Sequence, residues 1–77
     1  MKAKEWKYIK TAISGNCELF GVNIFEYKWE YTGENTIVEE PLYHQRLDAC
    51  IFTVSVKGKM YKFAAVEVSN CVWTFYV

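Results

Sequence analysis

Hydrophobic and polar residues alternate along much of this chain with a period of two. The clearest stretch is Phe25-Glu26-Tyr27-Lys28-Trp29-Glu30-Tyr31, where rings and charges alternate strictly. Successive side chains of a strand point to opposite faces, so this stretch predicts a strand with one apolar and one charged face. On a helix the same residues would spread around the whole circumference. Cys50-Ile51-Phe52-Thr53-Val54-Ser55-Val56 predicts a second strand, β-branched, with its even positions inward.

Turn residues divide the rest of the chain. Trp6 to about Ile13 reads as a strand ended by Ser14-Gly15-Asn16, and Cys17–Ile24 as a strand leading into the alternating stretch. The inward phase switches from even to odd at Ile24-Phe25, which calls for a β-bulge or a sharp bend. Thr32-Gly33-Glu34-Asn35 reads as a turn and Thr36-Ile37-Val38 as strand. Pro41 cannot donate to a ladder and marks an edge or a break. Leu42–Leu47 reads as a short helical turn or an irregular edge. Gly58 makes a hairpin, for which a Gly58-Lys59 loop of type II′ pairs Val56 with Tyr61 and Val54 with Phe63. A Lys57-Gly58 loop would set Val56 against Lys59, so the first register is expected. Ser69-Asn70 supplies the last turn, with Asn taking the left-handed conformation, and Cys71–Val77 the last strand.

The pattern predicts an all-β fold. Five to six short antiparallel strands run as a meander into a small barrel or a strongly curled sheet, of SH3-like or OB-like size. At most one short helical turn falls near 42–47. With 77 residues there is room for one domain, spanning 1–77.

Composition adds the main functional lead. The chain carries fourteen aromatic rings, each of which removes roughly 150–250 Å² from water when buried. That exceeds the need of one small core, so some rings are expected at a surface, a groove or a subunit contact. Net charge is zero, which removes the global basic field of a nucleic-acid binder. Its distribution is uneven. Residues 1–10 carry Lys2, Lys4, Lys7 and Lys10 against Glu5. Residues 11–48 carry Glu18, Glu26, Glu30, Glu34, Glu39, Glu40 and Asp48 against Lys28 and Arg46. Residues 49–77 carry Lys57, Lys59 and Lys62 against Glu67. An acidic middle either holds the basic ends within the fold or faces a basic partner.

Catalytic chemistry finds little footing. His44 is the one histidine, so a Cys-His pair would have to bring it against Cys50 or another thiol. No CxxC, HxxxH or calcium-spaced carboxylate loop is present, and the four glycines are isolated rather than a phosphate-cradling loop. The expectation is no enzyme, no cofactor and no metal. Cys17, Cys50 and Cys71 are odd in number and widely spaced, which reads as three reduced structural thiols and a cytoplasmic setting. One disulfide with one free thiol is the other arrangement. No signal peptide or membrane-spanning run is visible.

The reading that follows is a binding domain whose partner is a protein with a basic surface, met by Tyr27, Trp29, Glu30, Tyr31, Glu39, Glu40 and Tyr43. An inhibitor, an adaptor, or an immunity or anti-defence protein of a mobile element fits that description. A homodimer through an edge strand is a further expectation. The alternative is a single-strand nucleic-acid binder using the Lys57–Lys62 hairpin, whose lysines would follow phosphates while exposed rings stack bases, although the expected register turns Tyr61 and Phe63 of that hairpin to the core.

Overall fold

The computed structural model describes residues 5–77, so the basic Lys2 and Lys4 lie outside the described residues. The chain is all-β. The described residues form seven strands: β1 (Tyr8–Ile13), β2 (Glu18–Leu19), β3 (Val22–Asn23), β4 (Trp29–Glu39), β5 (Arg46–Val56), β6 (Lys59–Ser69) and β7 (Val72–Tyr76). Five form one antiparallel sheet in the order β1-β7-β6-β5-β4, and β2 with β3 forms a small separate hairpin. The meander expected from the sequence is therefore present in β4 to β7, with β1 added beside β7.

Among the described residues the sheet does not close into a barrel: β1 and β4 are its edges, at opposite ends. A barrel has one interior, whereas this sheet buries apolar residues on both faces. Phe63, Ala64 and Ala65 are consecutive in β6 and all buried, as are Thr74, Phe75 and Tyr76 in β7. On one face Val54, Val56, Phe63, Ala65 and Phe75 pack with Cys17, Leu19 and Ile24, which the β2–β3 segment lays over them. On the other, Val38, Ala49, Ala64 and Tyr76 pack with Trp6, Leu47 and Val66. In β5 the even positions Val54 and Val56 are inward as expected, but Ala49 and Ile51 are buried on the reverse face.

Several boundaries differ from the sequence reading. Cys17–Ile24 is a hairpin turning at Phe20-Gly21, both with positive φ. A single 3-10 turn, Ile24–Glu26, makes the bend expected at the phase switch, so the strand proper begins only at Trp29. Thr32–Asn35 is a bulge inside one continuous β4: three residues lie between Tyr31 and Asn35 where β5 has only Ile51. Gly33, at φ 89°, makes this excursion, and Thr32 Oγ1 ties it down by donating to the Ile51 carbonyl at 2.8 Å. The loop between β4 and β5, residues 40–45, holds Pro41 but no helix.

The β5–β6 hairpin takes the Lys57-Gly58 loop, so Val56 opposes Lys59, Val54 opposes Tyr61 and Phe52 opposes Phe63. Both loop residues have positive φ, as a type I′ turn requires. The two registers differ by two residues, so both keep Tyr61 and Phe63 on the core side. The observed one gains the Phe52–Phe63 stack, with centroids 5.7 Å apart. At the β6–β7 turn, positive φ falls on Cys71 rather than on Asn70.

Tyr76 links the second cluster to the β4 terminus by donating its phenol to the Glu39 carbonyl at 3.2 Å. Burial pushes its pKa above the ordinary 10.0; nearby Glu40 and Tyr8 add to this and a Thr74 hydrogen bond opposes it. Burial likewise raises the Cys17 thiol above 9.0, against the pull of Lys10. Both groups bind their protons more tightly folded than unfolded. Their contribution is complete below the unfolded values and is lost as pH rises through the folded ones. The thermal midpoint is therefore expected to fall above about pH 9–10, and Tyr76→Phe to flatten the upper part of that fall. A variant with an unchanged alkaline profile would remove Tyr76 from this account.

Candidate functional site

The local bend at Asn23 shapes the site. Its side-chain oxygen accepts from the backbone N–H groups of Cys17 (3.1 Å) and Phe25 (3.3 Å), and its amide donates to the Gly15 carbonyl (3.2 Å). These bonds cap the 3-10 turn and fix the segment that carries Phe25 and Tyr27. Two residues on, Trp29 enters the sheet. Its Nε1 donates to the Ile24 carbonyl at 2.9 Å. Its ring has the centroids of Phe63, Phe25, Phe52, Trp73 and Phe75 within 5.1–5.7 Å.

These rings do not close over one another. Ser14, Phe25, Tyr27, Trp29, Phe52 and Trp73 line an open trough of about 440 Å³ on one face of the sheet. Five of its six lining residues are aromatic, and none is charged. Tyr31 stands at its rim, half exposed, with its ring 5.9 Å from that of Phe52. From Tyr31 a polar chain leads away along the same face. The phenol donates to Asn35 Oδ1, and Asn35 Nδ2 approaches both Asp48 oxygens at 3.3–3.4 Å. Cys50 opposes Ala65, so Asp48 and Glu67, each two residues further along, come next on that face. Both are exposed. The trough thus runs from rings into acids.

Comparison with known protein families, with curated proteins and with solved structures finds no match for this chain. Its chemistry has to be read from the site alone.

The residues expected to form one surface divide among three places. Tyr27, Trp29 and Tyr31 belong to the trough and its rim, although Trp29 is as much core as surface. Glu30 opposes Thr53 on the reverse face and lines a shallow hollow there with Lys28, Ser55 and Met60. Glu39, Glu40 and Tyr43 lie at the far tip, about 20 Å from Tyr31 along β4. Glu40 is committed to the tip turn, where its carboxylate accepts from the Leu42 and Tyr43 N–H groups at 2.7 and 2.6 Å. Glu39 meets His44 Nδ1 at 2.7 Å and lines a separate hollow of about 480 Å³ with Trp6, Ile37 and Arg46. Tyr43 is exposed.

Phe52, Trp73, Asp48 and Glu67 were not singled out from the sequence as site residues. A signal for Phe52 existed, since even positions of β5 share the face of Trp29. Asp48 and Glu67 needed the register of the long strands, which the turn assigned at Thr32–Asn35 concealed.

His44 and Cys50 have different partners. His44 pairs with Glu39, while Cys50 meets Asn35 Nδ2 at 3.9 Å. Among the described residues no three His, Cys, Asp or Glu side chains gather to hold a metal, and no helix is long and apolar enough to cross a membrane. All three cysteines are free: Cys17 buried, Cys50 half-buried, Cys71 exposed.

Proposed function

We propose that this domain is a non-catalytic binding module that engages a basic protein through the aromatic trough and the acids beside it. The observation that carries the reading is the open trough of Phe25, Tyr27, Trp29, Phe52 and Trp73. Rings left accessible in this way are the usual anchors of protein contacts. Asp48 and Glu67 give the surface its charge preference and steer a partner of opposite sign. A small domain of this kind acts by occlusion, as an inhibitor or an immunity or anti-defence protein does. Three free thiols, one of them exposed, support a reducing, cytoplasmic setting. A homodimer through the β4 edge has less support, because it would bring Glu30, Glu34 and Glu39 towards the same acids of a second copy.

The single-strand nucleic-acid reading has less support, since both rings of its hairpin pack against the domain. Phe63 is fully buried. Tyr61 stacks on Phe20 with centroids 4.2 Å apart, and Lys59 Nζ lies 5.4 Å from the Tyr61 ring centroid.

Retention of basic proteins on the immobilised domain, measured at rising salt, tests the proposal. Retention is expected to weaken with salt and to be lost in Tyr27→Ser and in Asp48→Lys. Glu30→Lys, on the reverse face, is expected to behave as the parent. Equal loss from Glu30→Lys would show that total charge rather than this surface governs retention.

A further inference from the structure

Building on the binding-module reading, we propose a specific occupant for the trough. It is a polyproline-II segment of the partner, bearing Arg or Lys about four residues from the docked proline.

Width selects the backbone. Phe52 and Trp73 each lie 5.4–5.6 Å from the Trp29 ring, so their centroids are at most about twice that apart. That span is no wider than the 10–12 Å diameter of a helix with side chains. Strand addition is not available either, because the trough lies on a sheet face whose backbone groups are already paired across the ladder. A polyproline-II segment is narrow and keeps its backbone solvated.

Lining selects the side chain. Trp29 Nε1 is engaged by Ile24, and Ser14 is the one lining residue with an aliphatic hydroxyl. Such a surface offers flat ring faces set with the Tyr27 phenol, the Trp73 indole N–H and the Ser14 hydroxyl, which suits proline rings and the carbonyls of an extended backbone. Charge selects the flank. Nucleic-acid phosphates would meet Asp48 and Glu67, whereas a guanidinium would pair with them. Phe52 and Asp48 are four residues apart on β5, about 13 Å along the strand. A polyproline-II chain rising 3.1 Å per residue covers that span in about four residues.

Fluorescence of the trough tryptophans, titrated with synthetic peptides, tests this. A proline-rich peptide with Arg at that spacing is expected to give a saturable change, and its Arg→Glu counterpart a Kd about tenfold higher or more. Asp48→Lys is expected to reverse that preference. Tyr27→Ser is expected to abolish binding while its melting curve shows a folded domain. Equal binding of the Arg and Glu peptides would overturn the proposal. So would binding of a basic amphipathic helix in place of the proline peptide, although the binding-module reading would then stand. Failure of every peptide, with basic proteins still retained in a Tyr27→Ser-sensitive way, would overturn the proline occupant alone. Failure of both experiments would remove the two together.

Discussion

Trp29→Ala is expected to cost the domain about 3–5 kcal/mol, the range for removing a large buried ring. Five rings pack within 5.1–5.7 Å of Trp29, so truncation opens a void at their centre. It also leaves the Ile24 carbonyl without the indole donor. Net stability of small domains is about 5–15 kcal/mol, so the loss is a large share of the total. At about 4–8 °C per kcal/mol, the thermal midpoint should fall on the order of 20 °C. Trp29→Phe separates the two contributions. It keeps a ring in the cluster and loses only the hydrogen bond and part of the contact area, for about 1–3 kcal/mol. Circular dichroism melting measures both. A Trp29→Ala domain that melts within a few degrees of the parent would mean that the five rings hold together without their centre.

Asn23→Ala carries the second largest expected effect, by a different route. One side chain serves two backbone donors and one acceptor, at Cys17, Phe25 and Gly15. At about 0.5–1.5 kcal/mol net for each bond, the cost should be about 2–4 kcal/mol. Much of it should appear locally, because backbone bonds of the segment from Cys17 to Tyr27 are internal to it, such as the Ile24 N–H to Cys17 carbonyl bond at 2.8 Å. Amide exchange at Cys17 and Phe25 is therefore expected to accelerate more than exchange in β5 and β6. The trough should lose affinity as well, since Phe25 and Tyr27 form one of its walls. Uniform acceleration across all strands would show that Asn23 supports global stability and not the wall.

These two residues mark what was legible in the sequence and what was not. Alternation at Trp29 announced a strand and an apolar face, because period two survives wherever one face is buried. It could not show that the preceding Phe25-Glu26 belongs to a 3-10 turn, since a charged residue between two rings looks the same in both conformations. The strict pattern in Phe25–Tyr31 already set Glu30 on the charged face, and the sheet puts it there, so Glu30 does not share one surface with Trp29 and Tyr31. Asn23 gave no hint of its role, because its partners at Gly15 and Cys17 are brought to it by the Phe20-Gly21 hairpin. Gly33 was legible as punctuation, but a glycine at positive φ serves a bulge as well as a turn. The Lys57-Gly58 register is not legible in the sequence because apolar pairing across the loop favours the other register. The long stem of Lys59, with its ammonium 5.4 Å from the Tyr61 ring centroid, makes Val56–Lys59 an acceptable pair.

The bulge in β4 also bears on how the protein behaves in a crowd. An eleven-residue edge strand with free backbone groups is a template on which other chains can assemble. Here two extra residues break that edge into a short stretch ending at Tyr31 and another starting at Asn35, offset from each other. Glu30, Glu34 and Glu39 are distributed along it as like charges. An incoming straight strand can pair with one stretch or the other, not with both. The edge is thereby left open yet made a poor seed for fibrils, and the ringed face beside it can stay exposed without committing the sheet to stack.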